Sequence, residues 1–280
     1  MSVGLVLEGG AMRGMFTAGV LDIFLDNDIK ADGVIGTSAG VLFGVNYLSK
    51  QRGRAIRYNK KYAGYSGYMG IKSLITTGNI INKQFAYYDV PLRLDIFDQE
   101  AYAQSGIDFY ATITNVENGE AEYVKITDIF EQMEVLRATS AMPFVSQMVE
   151  VDGKKYLDGG ISDSIPVDKC KELGCDKIIV VLTRPLDYRK KKSCSSLARA
   201  AYRKYPELAE RIANRYAEYN DCVEKLIEME KRGEIFVIRP SKTVKIGRIE
   251  RDPEKLQEMY DLGIEDGKKY IDDLKKYLGA

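Results

Sequence analysis

The sequence predicts an α/β fold built around a mainly parallel sheet. The first 47 residues carry the order strand, glycine loop, helix, strand, tight turn, helix; that alternation belongs to parallel α/β architectures. The run KIIVVL at residues 177–182 is the strongest core-strand signal in the chain. The chain has 280 residues, 45% of them apolar, enough for a large core in one big domain or one and a half.

Residues 3–7 form a short apolar run that predicts the first buried strand. Glu8-Gly9-Gly10-Ala11-Met12-Arg13-Gly14 follows as a tight glycine loop. Phe16, Val20 and Phe24 then recur at i, i+4, i+8 and predict a helix with one apolar face. Residues 33–36 predict a second strand, and a helix should run from the next turn to about Tyr47. Residues 50–106 look helical in parts, with breaks at the glycines of 64–70. Residues 109–116 and 122–126 predict a hairpin closed by Asn118-Gly119. Asp128 is the expected cap of a helix running to about Ala138. Residues 148–151 and 154–157 predict a second hairpin around Asp152-Gly153, and Pro166 the start of a short helix. Residues 195–231 carry a continuous helical pattern, 234–238 a late strand and 253–278 a terminal helix.

Lys plus Arg equals Asp plus Glu at 41 each, so the formal net charge is zero. There is no histidine. Cys170, Cys175, Cys194 and Cys222 show no CxxC pairing, so the usual zinc ligand sets are missing. Reduced thiols in a cytoplasmic protein are the expectation. The N-terminus carries no signal-peptide pattern, and no apolar run approaches the ~20 residues of a membrane span.

The chemistry-bearing motif is Gly36-Thr37-Ser38-Ala39-Gly40, a GxSxG pentapeptide between a strand and a helix. This spacing suits a serine nucleophile on a sharp strand-to-helix turn, with glycines where the two elements nearly touch. The alternative is a small-residue turn with Ser38 as a helix cap. A Ser-His-Asp triad is excluded by composition, so either Ser38 is not a nucleophile or another side chain takes its proton. Asp158 ends a predicted strand and is followed by Gly159 and Gly160; a carboxylate in that position is a candidate proton acceptor, or alternatively a turn cap. The backbone N–H groups of Gly9, Gly10 and Ala11 are candidate oxyanion donors. As a phosphate cradle the loop fits poorly. Met15 and Phe16 stand where a Walker loop needs Lys-Ser/Thr, and Ala11 occupies the second glycine position of a dinucleotide loop.

Together, the loop Gly9 to Gly14, the pentapeptide at Ser38 and Asp158-Gly159-Gly160 resemble the patatin-like phospholipase family, in order and in separation, over roughly residues 3–183. Residues 138–143 also fit. The resemblance implies a three-layer α/β/α core over residues 1–184 and a mostly helical C-terminal extension, residues 185–280, packed on it. It implies a Ser38–Asp158 dyad, an oxyanion hole at Gly9, Gly10 and Ala11, and supporting roles for Arg13, Gly14, Gly36, Gly40, Gly159 and Gly160. It further implies hydrolysis of a phospholipid or other acyl ester through an acyl-enzyme, as a phospholipase A, lysophospholipase or carboxylesterase, with no metal or organic cofactor. Ala11 and Ser164 depart from the family pattern, which often has a third glycine and an asparagine there. A non-catalytic lipid-binding or adaptor protein on the same scaffold is the second reading, and a nucleotide-binding protein the third.

Charge is unevenly spread. No acidic residue lies between Asp32 and Asp89, a stretch holding Lys50, Arg52, Arg54, Arg57, Lys60, Lys61, Lys72 and Lys83, with Tyr47, Tyr58, Tyr62, Tyr65 and Tyr68 interleaved. A second basic stretch runs from Arg184 to Lys204, opposed only by Asp187. Basic groups with interfacial tyrosines suit peripheral contact with an anionic membrane surface or a lipid head group. No nucleic-acid fold signature accompanies them, so nucleic acid is not an expected partner.

Overall fold

The computed structural model describes residues 2–192 and 195–279. Its sheet contains β1 (Val3–Leu7), β2 (Gly33–Thr37), β3 (Asp108–Asn115), β4 (Ala121–Lys125), β5 (Val149–Val151), β6 (Lys154–Asp158), β7 (Lys177–Val181) and β8 (Ile235–Ile238). The order β3-β2-β1-β7-β8 is parallel throughout, whereas β4, β5 and β6 add antiparallel pairings at one end. The helices are α1 (Met15–Asp26), α2 (Ala39–Leu48), α3 (Arg54–Tyr62), α4 (Ile71–Thr77), α5 (Gln99–Ala103), α6 (Met133–Thr139), α7 (Val167–Glu172), α8 (Ser195–Ala201), α9 (Pro206–Lys231) and α10 (Pro253–Leu278), with a π-helical stretch at Phe85–Leu94.

Strand alternation divides the core into two layers. Leu5, Leu7, Val34, Phe109, Ile179 and Val181 face α1, α2, α6 and α10. Val6, Ile35, Ile178 and Val180 face α7 and α9. Successive side chains of a strand point to opposite faces, so a strand in the middle of the sheet must be apolar on both. The result is a three-layer α/β/α arrangement with helices from the C-terminal segment on both faces.

Two helix expectations are corrected. The helix expected from Asp128 begins only at Met133. Gln132 Oε1 accepts the N–H groups of Thr127 (2.7 Å) and Asp128 (3.2 Å), while Asp128 Oδ1 accepts those of Phe130 and Glu131 at 2.8 and 3.0 Å. These local bonds make a separate turn, and Asp128 caps that turn rather than the helix. The helical pattern from Ser195 breaks before Pro206, because proline disfavours helical dihedrals at the residue before it; Tyr205 sits at φ −133°, ψ 71°. Cys170, Cys175 and Cys222 are free thiols, and Cys194 lies outside the described residues.

Helix α1 is buried all round from Met15 to Phe24, although its periodicity predicted one apolar face. The far side is covered by α10. A Cβ at Gly263 would lie 2.1 Å from the Phe16 carbonyl oxygen, so the two backbones touch where no side chain fits. Nearby, Tyr260 donates its hydroxyl to Asp22 at 2.5 Å, and burial raises the Asp22 carboxyl above the usual range. Among the described residues, no helix is long and apolar enough to cross a membrane.

The crossing yields a stability prediction. Gly263→Ala should force α10 away from α1 and lower unfolding free energy by about 1–3 kcal/mol, the usual range for overpacking. Urea unfolding followed by circular dichroism measures it; an unchanged midpoint would refute the close contact.

Candidate active site

Strand β3 acts as a ruler that brings Ser38 and Asp158 together. Thr37, the last residue of β2, pairs with Thr112, and Asp158, the last residue of β6, pairs with Ile113. Residues 112–114 also pair with β4, which therefore holds the other edge. So β2 runs up one edge of β3, β6 runs down the same edge, and their ends meet one residue apart. At that junction Ser38 Oγ donates to Asp158 Oδ2 at 2.8 Å, and both residues are buried, at 7% and 6% exposure.

Ser38 occupies φ 54°, ψ −121°, a conformation that is strained for any residue with a Cβ and costs about 1–3 kcal/mol. Its N–H donates to Thr139 Oγ1 at 2.9 Å, and Thr139 Oγ1 donates in turn to the Thr112 carbonyl at 2.6 Å. The strained turn is thereby tied to the strand that sets its position. Gly36 is the penultimate residue of β2, where a Cβ would lie 3.0 Å from the Gly40 carbonyl carbon and from the Val41 nitrogen, and Gly40 lies in the first turn of α2, where a Cβ would be 2.4 Å from the Leu7 carbonyl oxygen. The sequence expectation of a close approach there is met.

Asp158 Oδ1 accepts the Gly160 N–H at 2.7 Å, and the Thr114 hydroxyl holds the Asp158 carbonyl at 2.9 Å. Gly159 and Gly160 form the 3-10 turn after β6. Burial raises the Asp158 carboxyl above the usual aspartate range, and the Arg215 charge, the Gly160 N–H and the Ser38 hydroxyl oppose that rise in part. A carboxylate so raised is a stronger base than an aspartate in water.

The glycine loop lies across the same cavity as Ser38 and Asp158. Gly9 N–H is engaged by the Ser164 carbonyl at 3.3 Å, and Ser164 Oγ donates to the Gly160 carbonyl at 2.9 Å. Among the described residues, the Gly10 and Ala11 N–H groups donate to no protein acceptor. Ala11 has φ 49°, which turns these successive N–H groups out of any regular ladder. Gly14 ends the loop as the residue before α1. Arg13 points into the cavity with its Nε sealed from solvent and without a hydrogen-bond partner.

Two cavities meet at Ser38, sharing Ala11, Met142 and Arg248 as common walls. One is apolar and runs among Leu42, Phe43, Tyr87, Val90, Met133 and Leu136. The other is polar and contains Glu8, Arg13, Asp158, Arg184, Lys190 and Arg215. Glu8 is spent on neutral donors: Oε2 accepts the Thr183 N–H at 2.5 Å and its hydroxyl at 3.0 Å, and Oε1 accepts the Tyr219 hydroxyl at 2.7 Å. Burial and the neighbouring arginines press the Lys190 amine down to about 6, and burial with Arg184 presses Arg13 down to about 10.

The acid-free stretch is largely neutralised in space. Arg52 pairs with Asp26, Arg54 and Arg57 with Asp95, Lys60 with Glu254 and Lys83 with Glu134. The acids come from elsewhere in the chain, which no window along the sequence reveals. Sequence reasoning also missed Thr139, Glu8, Tyr219, Arg215 and Arg248 as parts of this site. Only Glu8 carried a local signal, as a buried acid directly after a core strand.

Comparison with known proteins adds the following. The family model described as patatin-like phospholipase matches residues 5–170, more than half of the chain. A domain of unknown function (DUF6363) matches residues 205–279. The uncharacterized protein YjjU of Escherichia coli K12 is 33% identical over 193 residues, covering 65% of this chain and 52% of its own length. Lysophospholipase nte1 of Aspergillus niger is 27% identical across 98% of this chain, which corresponds to 18% of that protein. This chain thus spans about half of the first relative and a small part of the second. Among solved structures, VipD from Legionella pneumophila aligns over 97% of this chain and 67% of that one, with 14% identity and a TM-score of 0.45.

The Lys190 shift predicts a pH signature. An unfolded lysine holds its proton to about 10.4, whereas folded Lys190 loses it near 6. The unfolded chain therefore binds more protons between those values, and stability rises with pH across the window. Lys190→Met should be more stable than wild type near pH 6, with the advantage shrinking toward pH 10. Urea midpoints of both proteins from pH 6 to 9 measure it; a difference independent of pH would contradict the shift.

Proposed function

We propose that the chain, which belongs to the patatin-like phospholipase family by its match over residues 5–170, is a serine lipid acyl hydrolase using a Ser38–Asp158 dyad. The observation that carries this reading is the 2.8 Å hydrogen bond from Ser38 Oγ to Asp158 Oδ2, with Ser38 lining an apolar cavity. Ser38 Oγ attacks the ester carbonyl carbon while Asp158 takes its proton. The carbonyl oxygen becomes an oxyanion facing the open N–H groups of Gly10 and Ala11; Gly9, whose own N–H is taken, lets the substrate approach the main chain. Collapse of the intermediate breaks the bond to the alcohol, which leaves with the proton from Asp158. Asp158 then takes a proton from water, whose oxygen attacks the acyl carbon, and Ser38 leaves with that proton. The apolar cavity receives the acyl chain, a reading in keeping with the lysophospholipase name of the fungal relative.

We place the lipid aggregate over residues 65–96, part of which walls the apolar cavity. Ile71, Ile75 and Ile96 are 74%, 78% and 66% exposed, an unusual density of large apolar side chains at a surface. Lys72 stands in the same segment and Lys61 just before it, both outside any ion pair among the described residues, and they can meet anionic head groups.

Two experiments test these readings. A fluorophosphonate probe should label wild type and not Ser38→Ala. Asp158→Asn should lower ester turnover by about 10²–10⁴-fold, the usual worth of a positioned base. The wild-type rate should fall with acid through a pKa above the ~3.9 of a free aspartate. Labelling that persists in Ser38→Ala discards the nucleophile; absence of both labelling and turnover in wild type favours the adaptor reading. For the surface, Ile71→Glu/Ile75→Glu should reduce co-sedimentation with anionic vesicles severalfold without moving the urea midpoint. Unaltered co-sedimentation removes the docking face.

A further inference from the structure

We propose that the basic side chains gathered beside Ser38, namely Arg13, Arg184, Lys190, Arg215 and Arg248, form a phosphate subsite that selects acyl esters bearing a phosphomonoester group. The place of the scissile ester relative to this subsite rests on the acyl-hydrolase reading; the anion site itself does not.

The polar cavity is overcharged. Its lining supplies four guanidinium groups, and the Lys190 amine that a bound anion would recharge, against the carboxylates of Glu8 and Asp158. Both carboxylates are already occupied, Glu8 by Thr183 and Tyr219, Asp158 by Ser38 and Gly160. Among the described residues none of these five basic groups forms an ion pair or donates a side-chain hydrogen bond to the protein. Arg184 lies 4.0 Å over the Tyr188 ring and Lys190 3.8 Å over the Tyr219 ring, contacts that orient a cation without neutralising it. The Nε atoms of Arg13 and Arg215 are sealed from water with no acceptor at all. Buried guanidinium nitrogens are ordinarily paired, so five converging donors without an acceptor describe a site for an anion from outside the chain.

The chemistry of the anion follows from charge and position. A phosphomonoester carries −1.5 to −2 near neutral pH and three strong acceptor oxygens, which suits guanidinium forks. A choline or ethanolamine head group would bring a further cation into a cluster that already repels itself. Because Ser38 lies in the wall of both cavities, an acyl chain can occupy one while a phosphate on the same molecule occupies the other. Four of the five basic side chains lie beyond residue 170, outside the family match, and Arg215 and Arg248 belong to the segment of unknown function. Supplying this anion site is then one task of the C-terminal segment. Asn220 holds the Lys190 backbone to α9 through bonds of 2.7 and 3.0 Å, so the loop bearing Lys190 is fixed to the helix that bears Arg215.

The test uses the full chain and the double variant Lys190→Gln/Arg248→Gln. Hydrolysis is compared on 1-oleoyl lysophosphatidic acid, 1-oleoyl lysophosphatidylcholine and 1-oleoylglycerol, and calorimetry follows binding of glycerol 3-phosphate, glycerophosphocholine and inorganic phosphate. Wild type should favour the phosphomonoester lipid in kcat/KM by about tenfold or more, a difference of ~1.4 kcal/mol. In the double variant that preference should collapse, mainly through KM, and glycerol 3-phosphate binding should be lost. Equal turnover of the three lipids, or a preference kept by the variant, overturns the proposal. If inorganic phosphate binds as tightly as glycerol 3-phosphate and the lipid does not displace it, the site belongs to a free anion and the substrate role is overturned. If no lipid is hydrolysed, the acyl-hydrolase reading fails by itself; loss of glycerol 3-phosphate binding in the variant would still support the anion site, and its absence in wild type would overturn it.

Discussion

The pairing of both Thr37 and Asp158 to consecutive residues of β3 is the constraint from which the rest of the site follows. Residues 38 and 158 are far apart in the chain, yet strand register leaves them no freedom. A slip of one residue would turn every side chain of the shifted strand to the opposite face of the sheet. Ser38 would then keep its strained turn without a partner, and Asp158 would be a buried carboxylate without the hydroxyl that shares its charge. Thr112 links the two halves, since it pairs with Thr37 and its carbonyl anchors the Thr139 hydroxyl that holds the Ser38 N–H.

A carboxylate in a sheet interior would ordinarily be driven toward its neutral form. Here burial raises Asp158, while the Gly160 N–H, the Ser38 hydroxyl and the charge of Arg215 restrain the rise. Glu8 sits nearby in the same cavity but serves a different end: its oxygens are bound by Thr183 and Tyr219, which joins the glycine loop to β7 and α9. Two acids lining the same cavity thus differ by their donors, one facing the Ser38 hydroxyl and the other locked into the frame.

The C-terminal segment is woven into the core. It adds β8 to the edge of the sheet beside β7, covers α1 with α10, and lines the opposite face with α9. The α1–α10 crossing at Gly19 and Gly263 brings helix backbones into contact, a geometry open only to residues without a side chain. The carbonyl of Arg248 accepts the Met12 N–H at 3.4 Å, so this segment also steadies the glycine loop.

Much was legible in the residues themselves. Strand alternation, glycine loops and the prolines at 166 and 253 marked the elements, because these effects act over a few neighbouring residues. The absence of histidine and the presence of GxSxG directed attention to a serine with a carboxylate partner, and motif order pointed to Asp158. Helix limits near Asp128 and Pro206 failed where a side chain from four residues away, or a proline at the next position, outcompeted the periodic pattern. The charge asymmetry is partly compensated in space, since Asp26, Asp95, Glu134 and Glu254 reach the basic stretch only after folding. What the sequence by itself determined was therefore local: which segments extend, coil or turn, and which two residues are the candidates for the chemistry. What the tertiary structure alone decided was proximity, namely the meeting of β2 and β6 on β3, the spent N–H of Gly9 and the unpaired cations drawn from four separate segments. Through-space contacts depend on how distant strands register and helices cross, and no short stretch of chain encodes them.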